Sequence, residues 1–215
     1  MCLFGSHRGH GDSDGKRAYV DSTNTFVKDL KTVIDLVKSE NPTLPLFLLG
    51  QGMGGHIMSI LGGQYDNLVD GMIFSSPLIC DYEDFIKFDI NKYNSEFYLV
   101  PVPNIHDLSH DCDFIQSYDN DELVLNKVTV GLYHALKTSS SHILEYLYKF
   151  KYPCLILHGS MDSITDCEDS RFLFNNIVSR DKEIRILNGL YHKLLEELIK
   201  DDIINEISKW IEKRI

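Results

Sequence analysis

The stretch with the most chemical content is Gly50-Gln51-Gly52-Met53-Gly54-Gly55. It follows the apolar run Leu44 to Leu49 and precedes His56-Ile57-Met58-Ser59-Ile60-Leu61, which reads as the start of a helix. A strand, a sharp glycine-rich turn and a helix form the setting in which a G-x-S-x-G turn presents a nucleophilic serine. Gly52 stands where that serine would be, and a residue without a side chain cannot form an acyl-enzyme. Glycine tolerates the positive φ such a turn demands, so the exchange removes covalent chemistry while leaving the turn intact. Ser59 and Cys80 are the nearest candidates for a displaced nucleophile, and neither sits where the turn would present one.

Other chemistries find less support. None of the nine histidines has metal-ligand spacing; His106 and His110 are four apart but flank a polar Asp-Leu-Ser stretch rather than an H-E-x-x-H helix. No phosphate-cradling glycine motif is present, so neither metal nor cofactor is expected. The five cysteines are odd in number, scattered and without zinc or redox spacing, which points to free thiols in a reducing compartment.

The elements that must hold the turn are legible as short apolar or β-rich runs at Leu44–Leu49, Gly71–Ser75, Cys154–Leu157 and Glu183–Leu187. Three are continuous, as in parallel strands buried on both faces, while the alternating last one suits a position nearer a sheet edge. Phe26, Leu30, Val33, Ile34 and Val37 form an amphipathic helical stripe, and Ile203, Ile207, Trp210 and Ile211 repeat it near the C-terminus. Strands alternating with helices predict an α/β fold with a mainly parallel sheet.

From Leu78 to Phe150 the alternation breaks. Aromatic clusters (Tyr82, Phe85, Phe88, Tyr93, Phe97, Tyr98), a Val100-Pro101-Val102-Pro103 linker and helical stretches near Val128–Leu136 and Ser141–Tyr148 fill it. Turn signals at Ser75-Ser76-Pro77 and Lys151-Tyr152-Pro153 bound it. The expected organisation is therefore a core over residues 1–77 and 151–215, interrupted by an insertion over 78–150. The length, with 43% hydrophobic and 25% charged residues, suits one such domain. A formal charge of −11 argues against non-specific nucleic-acid binding and against attraction to anionic lipid headgroups. No signal peptide or bilayer-length apolar run is present, so a cytoplasmic location is the default expectation.

Several stretches together resemble the monoacylglycerol lipase and lysophospholipase-like branch of the α/β-hydrolases, grouped with the serine aminopeptidase S33 type. These are His7-Arg8-Gly9-His10-Gly11-Asp12-Ser13-Asp14-Gly15, the run Leu44–Gly50, Ser75-Ser76-Pro77, Ser109-His110-Asp111, Tyr118–Asp121, Asn126–Thr129, Leu157–Asp162 and Asn188–His192. They follow the family's order over nearly the whole chain. The resemblance implies an α/β-hydrolase fold in which 78–150 is the lid. It makes Asp162 the acid and His192 the general base of a triad. Gly52 occupies the nucleophile position, and the N–H of Met53 is one oxyanion donor. It implies hydrolysis of a carboxylic ester such as a monoacylglycerol or lysophospholipid, with a small lipid or ester as ligand.

The resemblance also implies that the family's first strands, and the turn supplying a second oxyanion donor, are missing. The chain is expected to begin inside the strand that leads to the Arg8-Gly9-His10-Gly11 loop. The elbow strand would then have an uncovered edge that favours self-association. An inactive lipase homologue is the expected state, with a ligand-binding pseudoenzyme or a truncated gene product as alternatives.

Overall fold

The computed structural model describes residues 2–80, 93–99 and 105–215. Helix α1 (Thr23–Glu40) starts where the Ser22 side chain accepts a bond from Asn24 N–H, a serine N-cap. It buries Phe26, Val27 and Ile34 while leaving Val33 half exposed, so the inward stripe is narrower than its apolar residues suggest. Strand β1 (Phe47–Gly52) runs into α2 (Met53–Gln64), and β2 (Gly71–Pro77) follows.

After β2 come the two-residue strands β3 (Tyr98–Leu99) and β4 (Val128–Thr129), paired antiparallel. Helices α3 (Cys112–Asp119), α4 (Val130–Ser141) and α5 (Leu144–Leu147) belong to the same stretch. The chain returns as β5 (Cys154–Gly159), α6 (Cys167–Asn176), β6 (Lys182–Leu187) and α7 (Lys200–Glu212). Tyr82, Phe85, Phe88 and the 100–103 linker lie outside the described residues. Among those described, Tyr93 and Phe97 stack with ring centroids 4.5 Å apart.

β1, β2, β5 and β6 form one parallel sheet in that order. Every position of β2 and β5 is buried, as expected for central parallel strands covered on both faces. Alternation sorts their side chains: Met72, Phe74, Cys154 and Ile156 join the core under α1 and α2, while Ile73, Leu155 and Leu157 meet Ile203, Ile207 and Trp210 of α7. Helices thus cover both sides, and among the described residues β6 is an edge strand, as its alternating pattern predicts.

Two expectations need correction. The run Leu44–Leu49 is not a strand buried on both faces. Pro45 has no N–H to give a ladder, Leu44 is exposed, and pairing begins at Phe47 and continues through the glycine-rich turn to Gln51↔Ser75. Leu49 is 45% exposed, and among the described residues β1 has a ladder partner on one side only. Residues 2–7 form no strand leading to the 8–11 loop. Their polar groups serve the loop instead: Ser13 Oγ donates to Ser6 O at 2.6 Å, and His10 N to His7 O at 2.9 Å.

Candidate active site

Three segments converge at the carboxyl ends of β1, β5 and β6, where ligands bind in open parallel sheets. The first is the turn between β1 and α2. Gly52 adopts φ 52° and ψ −116°, a left-handed conformation that an L side chain resists. A register shift against β2 falls between Gln51 and Gly52, and Gly55 packs so closely on Pro77 that a Cβ there would lie 2.7 Å from the proline Cβ. The turn is tight because two glycines allow the backbone to reverse against β2. Met53 opens α2, whose N-terminus has no side-chain cap, so its first N–H groups keep their positive end of the helix dipole uncompensated by a side chain.

The second segment follows β5. Asp162 has a fully buried side chain. One carboxylate oxygen accepts the N–H groups of Ile164 at 2.8 Å and Thr165 at 3.0 Å. The other accepts His192 Nδ1 at 2.8 Å and Thr165 Oγ1 at 2.9 Å, with His158 Nε2 at 3.2 Å. Burial opposes the charged form, but these bonds from His158 and His192 outweigh it and hold the carboxyl well below the usual carboxylate range. His158 is itself buried between acceptors and a hydroxyl: Nε2 lies 3.1 Å from Thr165 O, and Nδ1 2.7 Å from Ser170 Oγ. Two oxygen acceptors at Nε2 require the proton there, leaving Nδ1 to accept from Ser170.

The third segment, Asn188 to His192, follows β6. Asp162 accepts the hydrogen bond of His192 Nδ1–H, which fixes the tautomer and leaves Nε2 as the ring's other nitrogen. That nitrogen points at the turn: a Cβ built on Gly52 lies 3.5 Å from it, with only the His192 ring within 4 Å outside the neighbouring residues. The backbone around His192 is tethered as well. Gln51 Nε2 donates to His192 O at 3.2 Å, joining the Gly52 turn to the histidine loop. Met161 N donates to Leu190 O at 2.9 Å, joining the acid loop to it.

The structure therefore brings together Gly52, Asp162 and His192, and places Met53 at the adjacent helix start. An acid–imidazole pair so arranged can accept a proton from a group at the turn, and at Gly52 no side chain is there to give one. Sequence reasoning missed Thr165, His158 and Gln51. Thr165 lies three residues after the acid, a spacing at which an aspartate side chain reaches forward to backbone N–H groups, and that spacing could have flagged it. Gln51 is linked to His192 across 141 positions, and no local pattern reports such a contact.

The serine aminopeptidase S33 family model matches residues 3–199. The chain is 30% identical to human monoglyceride lipase over 220 residues, covering 97% of this chain and 72% of that enzyme. It is 28% identical to the monoacylglycerol lipase of Mycolicibacterium smegmatis over 211 residues, covering 95% of this chain and 75% of the relative. In fold it is similar to the crystal structure of Paleococcus ferrophilus monoacylglycerol lipase, with a TM-score of 0.84, 24% identity, and coverage of 96% of this chain and 81% of the other. The parallel sheet, the converging loops and these matches agree: the chain belongs to the serine aminopeptidase S33 family and is an α/β-hydrolase of its monoacylglycerol lipase-like group.

Proposed function

We propose that this chain is a monoacylglycerol lipase-like protein that has lost the acyl-serine route and retains a lipid- or ester-binding site. The observation that carries the reading is the gap at Gly52. Acid and base stand paired at 2.8 Å, and the base faces a turn with no nucleophile on it. Asp162 would hold the His192 tautomer, His192 would be the base, and the Met53 N–H would receive negative charge on a carbonyl oxygen. Without the serine, only the residual acceleration from binding and polarisation is left, since removing any triad member abolishes most of the rate. Residues 78–150 form the lid in this reading, over a core of 1–77 and 151–215. Relatives that include a monoglyceride lipase, a caffeoylshikimate esterase and a phospholipase act on lipids or esters, which supports an ester or lipid ligand here.

The test compares the protein with its His192→Ala variant on short p-nitrophenyl esters and on a monoacylglycerol. Equal rates and no labelling by a fluorophosphonate are expected. Clear turnover that depends on His192 would overturn the proposal.

A further inference from the structure

Glu197 is a buried carboxylate, 1% exposed, and no arginine or lysine neutralises it at contact distance among the described residues. Burying a carboxylate is unfavourable unless hydrogen-bond donors surround it. Its donors come from two segments far apart in the chain. Tyr191 N–H, one residue before His192, gives a bond of 2.9 Å to Oε1. From the segment ahead of α3, His110 gives its backbone N–H at 3.1 Å to Oε2 and its ring Nδ1 at 3.0 Å to Oε1. The His110 ring also stacks on Tyr191, with centroids 3.9 Å apart and planes 9° from parallel.

Two more bonds lie beside this clamp. Lys193 N–H, one residue after His192, donates to Leu108 O at 2.8 Å, and Ser109 Oγ donates to Glu196 O at 2.7 Å. The backbone N–H groups of the residues before and after His192 are thus held by Glu197 and by Leu108, while Gln51 holds the His192 carbonyl. Loss of either segment leaves the Glu197 carboxylate buried and short of donors.

We propose that Glu197 is the positioning residue of His192, and that through it the seating of residues 108–110 and the placement of the imidazole against Asp162 are one event. The inference rests on His192 being the base of the site. Its readouts need no turnover, so an active and an inactive chain are tested alike.

The experiment follows the downfield proton NMR signal of His192 Nδ1–H, assigned by its absence from His192→Gln, together with backbone amide exchange. In Glu197→Ala the signal is expected to broaden away. Amide exchange is expected to rise about tenfold or more in residues 190–193 and 105–111 alike, as for a buried donor left unpaired. His110→Ala leaves the carboxylate in place and is expected to raise exchange in both segments; it decides the matter if Glu197→Ala does not fold. Glu196→Gln, whose backbone alone takes part in the contact with Ser109, is expected to match the unmodified protein. An unchanged His192 signal in folded Glu197→Ala, or faster exchange confined to one segment, would overturn the proposal.

Discussion

His56 makes the turn that carries Gly52 sensitive to acid. It lies in the first half of α2, wholly buried, with Nδ1 3.1 Å from Leu78 O and Nε2 2.7 Å from Ser139 Oγ. The carbonyl can only accept, so Nδ1 carries the proton, and in the neutral ring Nε2 shares the Ser139 hydroxyl with Leu136 O. Burial, only partly offset by the bond to Leu78, pushes its pKa from 6.5 down to about 4. Between those values the unfolded chain holds the extra proton and the folded one does not. Stability is therefore complete above about pH 6.5 and is lost as the pH falls toward 4. At about 1.4 kcal/mol per pKa unit, that gap is worth about 3 kcal/mol. Domains of this kind have about 5–15 kcal/mol in total, so the loss is a substantial share.

The assay is urea unfolding at a series of pH values between 7.5 and 4.5, on the protein and on His56→Gln, which cannot titrate. His7 and His10 are also pushed down by burial and add in the same direction, but both are common to the two proteins. The difference between the curves therefore isolates His56. It should shrink steadily as the pH falls below 6.5, because only the unmodified protein loses the extra stability. Parallel curves would refute the reasoning.

Further outcomes follow from the same contacts. Gly52→Ser places a Cβ in a left-handed backbone position and should cost about 1 kcal/mol, read from the urea midpoint; a more stable variant would show that the turn relaxes. Asp162→Asn removes a buried charged acceptor from His192, His158 and Thr165, and should destabilise by about 3 kcal/mol at neutral pH; a loss below about 1 kcal/mol, the scale of one net hydrogen bond, would mean that the network holds without its charge. Cys154 is buried with its thiol pushed up to about 12, so it should resist DTNB until the protein unfolds, while exposed Cys2 and Cys112 react at once. The pairing of β1 on one side only among the described residues, with Leu49 45% exposed, should give concentration-dependent self-association that Leu49→Lys weakens; a monomer at every concentration would contradict it.

The sheet was legible because buried parallel strands leave continuous apolar runs, as Cys154–Leu157 and Gly71–Ser75 show. The elbow strand was misjudged at both ends for a physical reason. Apolar content marks burial, whereas the ladder depends on backbone donors, which Pro45 lacks and Gly50 to Gly52 supply. Asp162 and His192 were singled out by the resemblance of the turns that carry them, and the structure brings the two side chains within 2.8 Å. What fixes them in place was not legible, since Gln51, Thr165 and Glu197 act by contacts that join separate loops. A glutamate in the stretch Leu195-Glu196-Glu197-Leu198 looks like any solvated charge until its burial is known.

The dihedral angles of Gly52 have a consequence for the history of the site. The left-handed turn persists with no side chain there to require it, so its shape is imposed by the pairing of β1 with β2 and the packing of Gly55 on Pro77. In the proposed reading, the absence of a nucleophile is thus chemically complete but architecturally shallow. Where a glycine is encoded GGU or GGC, a change of the first base alone gives serine, and the side chain so gained would lie near His192, already paired with Asp162. Such a scaffold stays within one mutational step of a triad, and descent could cross that step in either direction.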